Sequence, residues 1–331
     1  MFPPRREASS IRPMSRAVLT ACLLALTTGN AFAQSFPTKP LTLICPCAPA
    51  DTHDQYLRAL AQIASKYLGQ PVTVENIVGE SATLGPATMA RSARPDGYTL
   101  SQLRINSFRV PHMRRVSWDP LKDFTYIIGL AAGTIGVAVK SDSQIKTLNE
   151  LIEYAKANPG RLLYGVSGPG GTPHLVMEEL GLKAGARFRH VPGPQIEAAK
   201  ALIDGRIQAI SGTVIWAAYV DSGAFRLLVT FGEKRSRWNA PTARELGFDI
   251  LAYAPFGLVA PKGLDPKLTK LLHDAFYRAL DDPEYDKLLN RLDMVDWYKS
   301  SEDYAEWAVD QFKFQRALIE RTIGLGGGLR P

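Results

Sequence analysis

The stretch Leu162-Leu163-Tyr164-Gly165-Val166-Ser167-Gly168-Pro169-Gly170-Gly171-Thr172-Pro173-His174 joins a short apolar run to a glycine-rich turn, and a helical pattern follows over residues 175–182. The pattern predicts a strand, a turn and a helix N-terminus. The first N–H groups of a helix have no partner within it, and its dipole makes this end positive. The segment therefore suits a small anion, most simply a carboxylate, although the glycines can equally serve only a tight connection.

Nucleotide-binding and catalytic motifs do not fit the chain. No lysine follows the glycines as a P-loop requires, and their spacing differs from that of a dinucleotide fingerprint. Neither H-E-x-x-H nor a G-x-S-x-G elbow occurs, because Gly165-Val166-Ser167-Gly168 lacks the final spacing. A hydrolase that combines Asp51 and His53 with Ser107 or Ser167 has no motif to support it, so we do not expect an enzyme.

The N-terminus predicts export. Arginines precede an apolar run over residues 17–26, and Ala31-Phe32-Ala33 follows as a small-x-small cleavage site. This is the pattern of a secretory signal peptide over residues 1–33, with Met1 or Met14 as its start, and it predicts a periplasmic protein. A lipoprotein box ending at Cys22 is disfavoured, because the apolar run continues beyond it. No later segment has an apolar run long enough to cross a bilayer.

Composition indicates a globular protein of about two domains. The hydrophobic fraction is 46% and the charged fraction 21%. The pI of about 9.2 overstates the basicity, because four arginines lie within the first 33 residues. The tightest basic cluster is too small for a nucleic-acid footprint, so nucleic acid is not an expected partner; it consists of Arg104, Arg109, Arg114 and Arg115.

Cys45 and Cys47 flank Pro46. In extended chain, residues i and i+2 project to the same face, a geometry that seldom closes a disulfide. We expect two small buried side chains at a strand end. Free thiols, or a soft-metal site with His53, are the alternatives. No metal and no cofactor is predicted, since a metal site usually recruits a fuller set of ligands.

Strands and helices alternate in two sets, which predicts an α/β fold with parallel sheets. The first set has strands at 41–45, 72–76 and near 99–100, with helices at 54–67 and 86–93. The second has strands at 136–140, 162–164, 188–191, 207–210 and 225–229, with helices at 147–158, 175–182 and 196–203. A late strand at 256–261 precedes helices at 266–280, 283–292 and 301–323.

The chain resembles the Bug-type extracytoplasmic solute receptors of the tripartite tricarboxylate transporter family. The resemblance covers nearly all of the chain after the signal peptide and does not specify the ligand. It is carried by Phe36-Pro37-Thr38-Lys39-Pro40-Leu41-Thr42-Leu43-Ile44, Leu68-Gly69-Gln70-Pro71-Val72-Thr73-Val74-Glu75-Asn76, Pro95-Asp96-Gly97-Tyr98-Thr99-Leu100, Trp118-Asp119-Pro120-Leu121-Lys122-Asp123-Phe124, Tyr164-Gly165-Val166-Ser167-Gly168 with Thr172 and His174, His190-Val191-Pro192, and Phe256-Gly257-Leu258-Val259-Ala260-Pro261.

The resemblance implies a type II periplasmic-binding-protein fold with a ligand cleft between two lobes. Lobe 1 would be residues 36–136 plus 251–331, and lobe 2 would be residues 137–250. The implied function is capture of a small organic acid by a monomeric receptor and its delivery to the membrane components of a tripartite transporter. A ligand-sensing adaptor for a signalling partner is the alternative.

The resemblance also implies the ligand-binding residues. In the family the loop after the first strand has glycines and its backbone faces the ligand, whereas this chain has bulkier residues at 46–54 and adds the charge of Asp51, unless that carboxylate caps the helix. His174 either orients the glycine-rich turn or contacts the ligand, and Trp216 either contacts the ligand or packs. The candidates are Ala48, Pro49, Asp51, Thr52, His53, Arg104, Asn106, Ser107, Ser167, Gly168, Gly171, Thr172, His174 and Trp216.

Overall fold

The structure is a computed structural model that describes residues 36–213 and 215–322. The predicted signal peptide at residues 1–33 lies outside this range. Among the described helices, none combines the length and the apolarity that a bilayer crossing needs.

Strands and helices alternate along most of the described chain, which confirms the α/β prediction. The strands are β1 (Leu41–Cys45), β2 (Val72–Asn76), β3 (Thr99–Arg104), β4 (Phe124–Lys140), β5 (Leu163–Val166), β6 (Arg189–Pro192), β7 (Ala209–Thr213), β8 (Phe225–Thr230), β9 (Tyr253–Pro261) and β10 (Met294–Lys299). The helices are α1 (Thr52–Leu68), α2 (Leu84–Ser92), α3 (Val110–Met113), α4 (Leu148–Ala157), α5 (Thr172–Ala184), α6 (Gln195–Ile203), α7 (Ala217–Asp221), α8 (Pro266–Leu280), α9 (Pro283–Leu292) and α10 (Ser301–Thr322).

The predicted first set of elements forms one half of a mixed sheet. β1 pairs in parallel with both β2 and β3, and β3 pairs antiparallel with β9. Helix α1 connects β1 to β2. It has an apolar face, on which Tyr56, Leu57, Leu60 and Ala64 are fully buried. It ends at Gly69, whose φ of 69° suits a glycine C-cap.

Strand β4 is shared between the two halves of the sheet. Its first part, from Phe124 to Thr134, pairs antiparallel with β9, and β10 lies on its other side. From Ile135 onward, β4 pairs instead with β7 and β8. The strand order is β2-β1-β3-β9-β4-β7-β5-β6, so the second set of elements continues beyond β4, and β5 pairs in parallel with β6 and β7.

Two strands differ most from the sequence prediction, and the short helices α3 and α7 were not predicted either. Strand β4 begins at Phe124, well before the predicted strand at 136–140. The prediction missed its first part because nearly all of its residues are buried and no alternating pattern marks it. Strand β10 lies between two predicted helices and was not predicted. The helices predicted at 266–280 and 283–292 have those bounds in the structure, since Asp265 and Asp282 cap them and a proline follows each cap.

Candidate functional site

A cavity lies where the partners of β4 change. Its walls come from the ends of β3 and β7, the start of β9, and the first residues of α5 and α6. The space between the lining atoms is about 360 Å³, a figure that includes space open to solvent. The lining residues are Arg104, Ile105, Asn106, Ser167, Gly171, Thr172, Pro173, Gln195, Thr213, Ala254 and Pro255.

The cavity wall favours an anion. Among the described residues, Arg104 is the only one with an ionisable side chain that lines the cavity, and no acidic residue of this part of the chain does so. Burial lowers the pKa of Arg104 below its ordinary value, and the nearby charge of Asp51 opposes that shift. The remaining polar side chains of the wall are neutral hydroxyls and amides; they belong to Asn106, Ser167, Thr172, Gln195 and Thr213.

The glycine-rich turn forms the predicted strand–turn–helix connection. β5 ends at Val166 and α5 begins at Thr172, with Gly171 as its N-cap. Glycine has no side chain and Pro173 has no N–H, so the N–H groups of Thr172 and His174 are those at the start of α5 that no cap side chain occupies. Gly170 has a φ of 72°, a conformation that glycine adopts freely. Ser167, Gly171 and Thr172 line the cavity, whereas Gly168 lies beside it without lining it.

His174 orients this turn from behind. It is 1% exposed, and its Nδ1 accepts a hydrogen bond of 3.0 Å from the Gly170 N–H. Burial lowers its pKa to about 4, so it is neutral at pH 7 and its proton is on Nε2, which lies 3.6 Å from Oε1 of Glu178. Although His174, Glu178 and His190 lie within metal-binding distance of one another, this tautomer leaves no lone pair on Nε2 for a metal ion.

Arg109 lies behind Thr172, and sequence reasoning did not place it in the site. Its guanidinium donates to Thr172 Oγ1 at 2.7 Å and to Gln315 Oε1 at 2.5 Å. All three residues are at most 5% exposed. Burial lowers the pKa of Arg109 to about 9, so it remains protonated at neutral pH. The sequence shows Arg109 only as a member of a basic cluster, and no local pattern reports its contact with α5.

The segment after β3 contributes one wall of the cavity. Arg104 and Asn106 line it, as predicted residues of the site, and Asn106 donates to the backbone oxygen of Ser81 at 2.9 Å. Ser107 is fully buried, its hydroxyl has no partner in the described structure, and it does not line the cavity. The first half of the 3₁₀ turn at Ile105–Phe108 therefore lines the cavity, and its second half is buried in the core.

The loop between β1 and α1 is held by hydrogen bonds to the start of α1 and to the end of β2. Asp51 caps α1 by accepting from the His53 N–H at 2.9 Å, and the Ala50 N–H donates to Asp54 at 2.8 Å. Asn76 donates to the backbone oxygen of Cys47 at 3.1 Å. None of the predicted site residues of this loop and helix start lines the cavity; they are Ala48, Pro49, Asp51, Thr52 and His53.

Cys45 and Cys47 are buried as expected, but they form a disulfide, so the expectation that their spacing would not close one was wrong. β1 ends at Cys45 and the chain bends at Pro46, which brings the two Cα atoms to 5.3 Å, within the range of disulfides. The prediction assumed an extended chain across Pro46. The bonded sulfurs are not thiolates, so they cannot supply the soft-metal site considered with His53.

Two other predicted site residues have packing partners. Trp216 is fully buried among apolar residues of the second half of the sheet, with Nε1 donating to the Gly212 oxygen at 3.1 Å. His53 is 2% exposed, and its Nδ1 lies 3.0 Å from Nε2 of Gln102, while its own Nε2 has no partner in the described structure. Burial, and secondarily Arg104, lowers the pKa of His53 well below its ordinary value. Neither side chain lines the cavity.

The sequence did not reveal the rest of the wall. Gln195 begins α6, Thr213 ends β7, and Ala254 and Pro255 lie near the start of β9. These residues are far apart along the chain and meet only because β7 and β9 both pair with β4 near residue 134. Polar residues at strand ends were the available sign of a site in the sequence, but they do not indicate which strand ends lie together in the fold.

Solved structures share this fold. One described as a periplasmic transporter has a TM-score of 0.81 and 29% identity, covering 88% of this chain and 99% of that chain. An R. palustris protein solved with adipate has a TM-score of 0.81 and 24% identity, with 88% and 99% covered. The predicted periplasmic-binding-protein fold is confirmed by these likenesses.

Curated relatives and a family profile agree with the fold. The chain is 46% identical over 313 residues to the Cupriavidus necator "UPF0065 protein in gbd 5'region", covering 93% of this chain and 95% of the relative. It is 30% identical over 259 residues to protein BugT of Bordetella pertussis, covering 75% and 78%. The profile described as "Tripartite tricarboxylate transporter family receptor" matches residues 56–325. The chain therefore belongs to the receptor family of the tripartite tricarboxylate transporters.

Proposed function

We propose that this receptor captures a small carboxylate in the cavity between β3 and α5, and delivers it to the membrane components of a tripartite transporter. It acts in the periplasm as a monomer without a metal, after removal of the predicted signal peptide at 1–33. The observation that carries the proposal is the composition of the cavity wall, in which Arg104 is the only ionisable side chain among the residues that the structure describes.

The start of α5 supports a carboxylate over other anions. No cap side chain occupies the N–H groups of Thr172 and His174 in its first turn, and the hydroxyls of Ser167 and Thr172 belong to the wall. Pro173, between these two residues, has no N–H. This arrangement offers several donors to one or two oxygens, as the helix dipole also favours. The related R. palustris structure holds adipate, which supports a carboxylate as the ligand.

Binding is supported over hydrolysis. A hydrolase needs a nucleophile whose proton an adjacent base can accept. Within residues 36–213 and 215–322, no hydrogen bond joins a serine to a histidine. Ser107 has no hydroxyl partner, and His174 is bonded to the glycine-rich turn.

The strand connections support closure around a ligand. β4 changes its partners between Thr134 and Ile135, and β9 starts at Tyr253. These crossings lie close to the proposed boundaries of lobe 1 (36–136 plus 251–331) and lobe 2 (137–250). A hinge at paired crossing strands lets two halves close with little change within each. The cavity lies at this crossing.

A thermal-shift screen tests the ligand class, because a ligand that binds the folded state raises the melting temperature. The probes are adipate, malate, citrate and benzoate, with adipamide as a neutral control. We expect at least one carboxylate, and not adipamide, to stabilise the protein. Stabilisation by adipamide alone would contradict the proposal.

Substitution at the wall tests the site. Thr172→Val and Ser167→Ala each remove a hydroxyl, and a hydrogen bond to a charged group contributes roughly 1.5–3 kcal/mol. Each should therefore weaken adipate binding by about tenfold or more in calorimetry. Thr269→Val, which removes a hydroxyl from the first turns of α8, is the matched control and should bind normally. Normal binding by both wall variants would place the ligand elsewhere.

A further inference from the structure

Arg109 is a buried cation that does not line the cavity. It is 3% exposed, and its two hydrogen-bond partners, Thr172 and Gln315, are neutral. No carboxylate lies within ion-pair distance of Arg109 in residues 36–213 and 215–322. Arg104 differs in this respect, because the charge of Asp51 lies close to it. Burying a charge without an opposite charge is costly, so this position calls for an explanation.

The hydrogen bond to Thr172 fixes the direction of its hydroxyl. Arginine only donates hydrogen bonds, so Thr172 Oγ1 must accept from Nη1 of Arg109 at 2.7 Å. The hydroxyl hydrogen of Thr172 is then free to donate to another acceptor. Since Thr172 lines the cavity, that acceptor can be a ligand oxygen. The guanidinium thus acts on the ligand through the hydroxyl of Thr172, which accepts a hydrogen bond from Arg109 and donates one to the ligand.

Gln315 holds the guanidinium in place. Its Nε2 donates to Oε1 of Gln311 at 3.1 Å, and its own Oε1 accepts from Nε of Arg109. Arg109 follows β3, Thr172 begins α5 and Gln315 lies on α10, so the contact joins three separate parts of the chain. Met113 lies against Gly170 nearby and leaves no space there for a Cβ atom. The guanidinium is therefore held by hydrogen bonds to the start of α5 and to α10.

We infer that Arg109 is a positioning residue that makes the cavity select anionic ligands over neutral ligands of the same shape, acting through Thr172. This inference rests on the proposed function and adds a determinant of charge selectivity to it. A carboxylate in the cavity supplies the negative charge that the neighbours of Arg109 do not. A neutral ligand leaves the guanidinium uncompensated and gains nothing from it.

Gln315→Glu is the sharpest test, because it places a carboxylate beside Arg109 with almost no change of shape. The new charge neutralises the guanidinium in the free protein, without touching the cavity wall. Attraction between charges a few ångströms apart remains strong inside a protein. We expect the affinity for adipate to fall by about tenfold or more. The affinity for adipamide, the neutral diamide of the same length, should stay the same.

Two further variants separate charge from structure. Arg109→Lys keeps the charge and should retain the preference for adipate over adipamide, whereas Arg109→Gln should lose it. Gln144→Glu adds the same charge at an exposed position and is the control for net charge. Calorimetry with both probes gives the preference for each variant, and melting temperatures verify that each is folded.

The outcomes distinguish this inference from the proposed function. Equal affinity of the wild type for adipate and adipamide would overturn the proposed function, since the cavity would not favour anions. A wild-type preference that Gln315→Glu and Arg109→Gln both retain would overturn only the role of Arg109. Equal loss of both probes in Arg109→Gln and Arg109→Lys would show a structural role and also overturn it.

Discussion

Asp51 combines a structural bond with an electrostatic effect on the site. Its carboxylate caps α1, and its charge compensates part of that of Arg104. Asparagine is an equally good N-cap, so Asp51→Asn should leave the free energy of unfolding within about 0.5 kcal/mol of the wild type. Removing the negative charge should leave adipate binding equal or tighter, as measured by calorimetry. Abolished binding would mean that Asp51 contacts the ligand, which would then carry a cation or an amide donor.

His174 predicts a loss of stability in mild acid. Its pKa is about 4 in the folded protein, against an ordinary 6.5 that applies to the unfolded chain. Between these values only the unfolded chain binds the proton, so stability is highest above pH 6.5 and falls towards pH 4. The loss is at most roughly 3 kcal/mol. Urea unfolding at pH 7 and pH 5 measures it.

His174→Gln isolates this effect, because its amide oxygen can still accept from the Gly170 N–H. The variant should lose less stability than the wild type between pH 7 and pH 5. Burial raises the pKa of Glu178, which favours the folded state as the pH falls and opposes the effect in both proteins. An identical pH dependence in the two proteins would show that His174 does not cause the loss.

The role of a single residue was predictable from the sequence where backbone conformation alone determines that role. The glycine-rich turn was found because glycines before a helical pattern constrain the backbone directly. The disulfide and Arg109 were not found, because each depends on where a side chain points after a bend in the chain. Asp51 was left as either a ligand contact or a cap, and its bond to the His53 N–H supports the cap.

At the scale of elements, α9 ends at a residue with a left-handed backbone conformation and a buried carboxylate oxygen. Asp293 has a φ of 47°, and its Oδ2 is buried without a partner in the described structure. Burial raises its pKa to about 6, so at pH 7 it is ionised at a cost to the folded state. Asn tolerates this backbone conformation and carries no charge. Asp293→Asn should therefore raise the free energy of unfolding by about 1 kcal/mol at pH 7.

The sign of this gain depends on pH. The folded pKa of Asp293 lies above the ordinary 3.8, so the penalty is present at pH 7 and disappears as the pH falls below 6. Urea unfolding should therefore show a smaller advantage of the variant at pH 4 than at pH 7. Asp281→Asn, at the exposed C-cap of α8, is the control and should change little. An advantage that is equal at both pH values would assign the gain to the backbone alone.

Elements were predictable where periodicity or capping marks them. The C-terminal helices α8 and α9 were found with their bounds, because a cap and a proline start each one. Most of β4 was missed because it is buried on both faces and has no alternation. β10 was missed because its pairing with β4 decides its structure, and its own sequence carries charged residues at Asp296 and Lys299.

At the scale of the whole molecule, the order of strands explains why the cavity lies where it does. The end of β7 and the start of β9 meet there because these strands pair with successive parts of β4. The sequence predicted the α/β class, since alternating strands and helices are a local signal. It did not predict the long antiparallel pairing of β4 with β9, because pairing between distant strands leaves little trace in either strand.

Closure about β4 and β9 is the motion that this order of strands predicts. The proposed lobes, residues 36–136 with 251–331 and residues 137–250, are linked by both strands, so a ligand that touches both walls should draw them together. Small-angle scattering should show a smaller radius of gyration when adipate saturates the protein. Thr172→Val should show the same compaction, but only at higher adipate concentrations, because it weakens binding and not the hinge. A wild-type radius that stays constant at saturating adipate would mean that the cavity binds its ligand without closing.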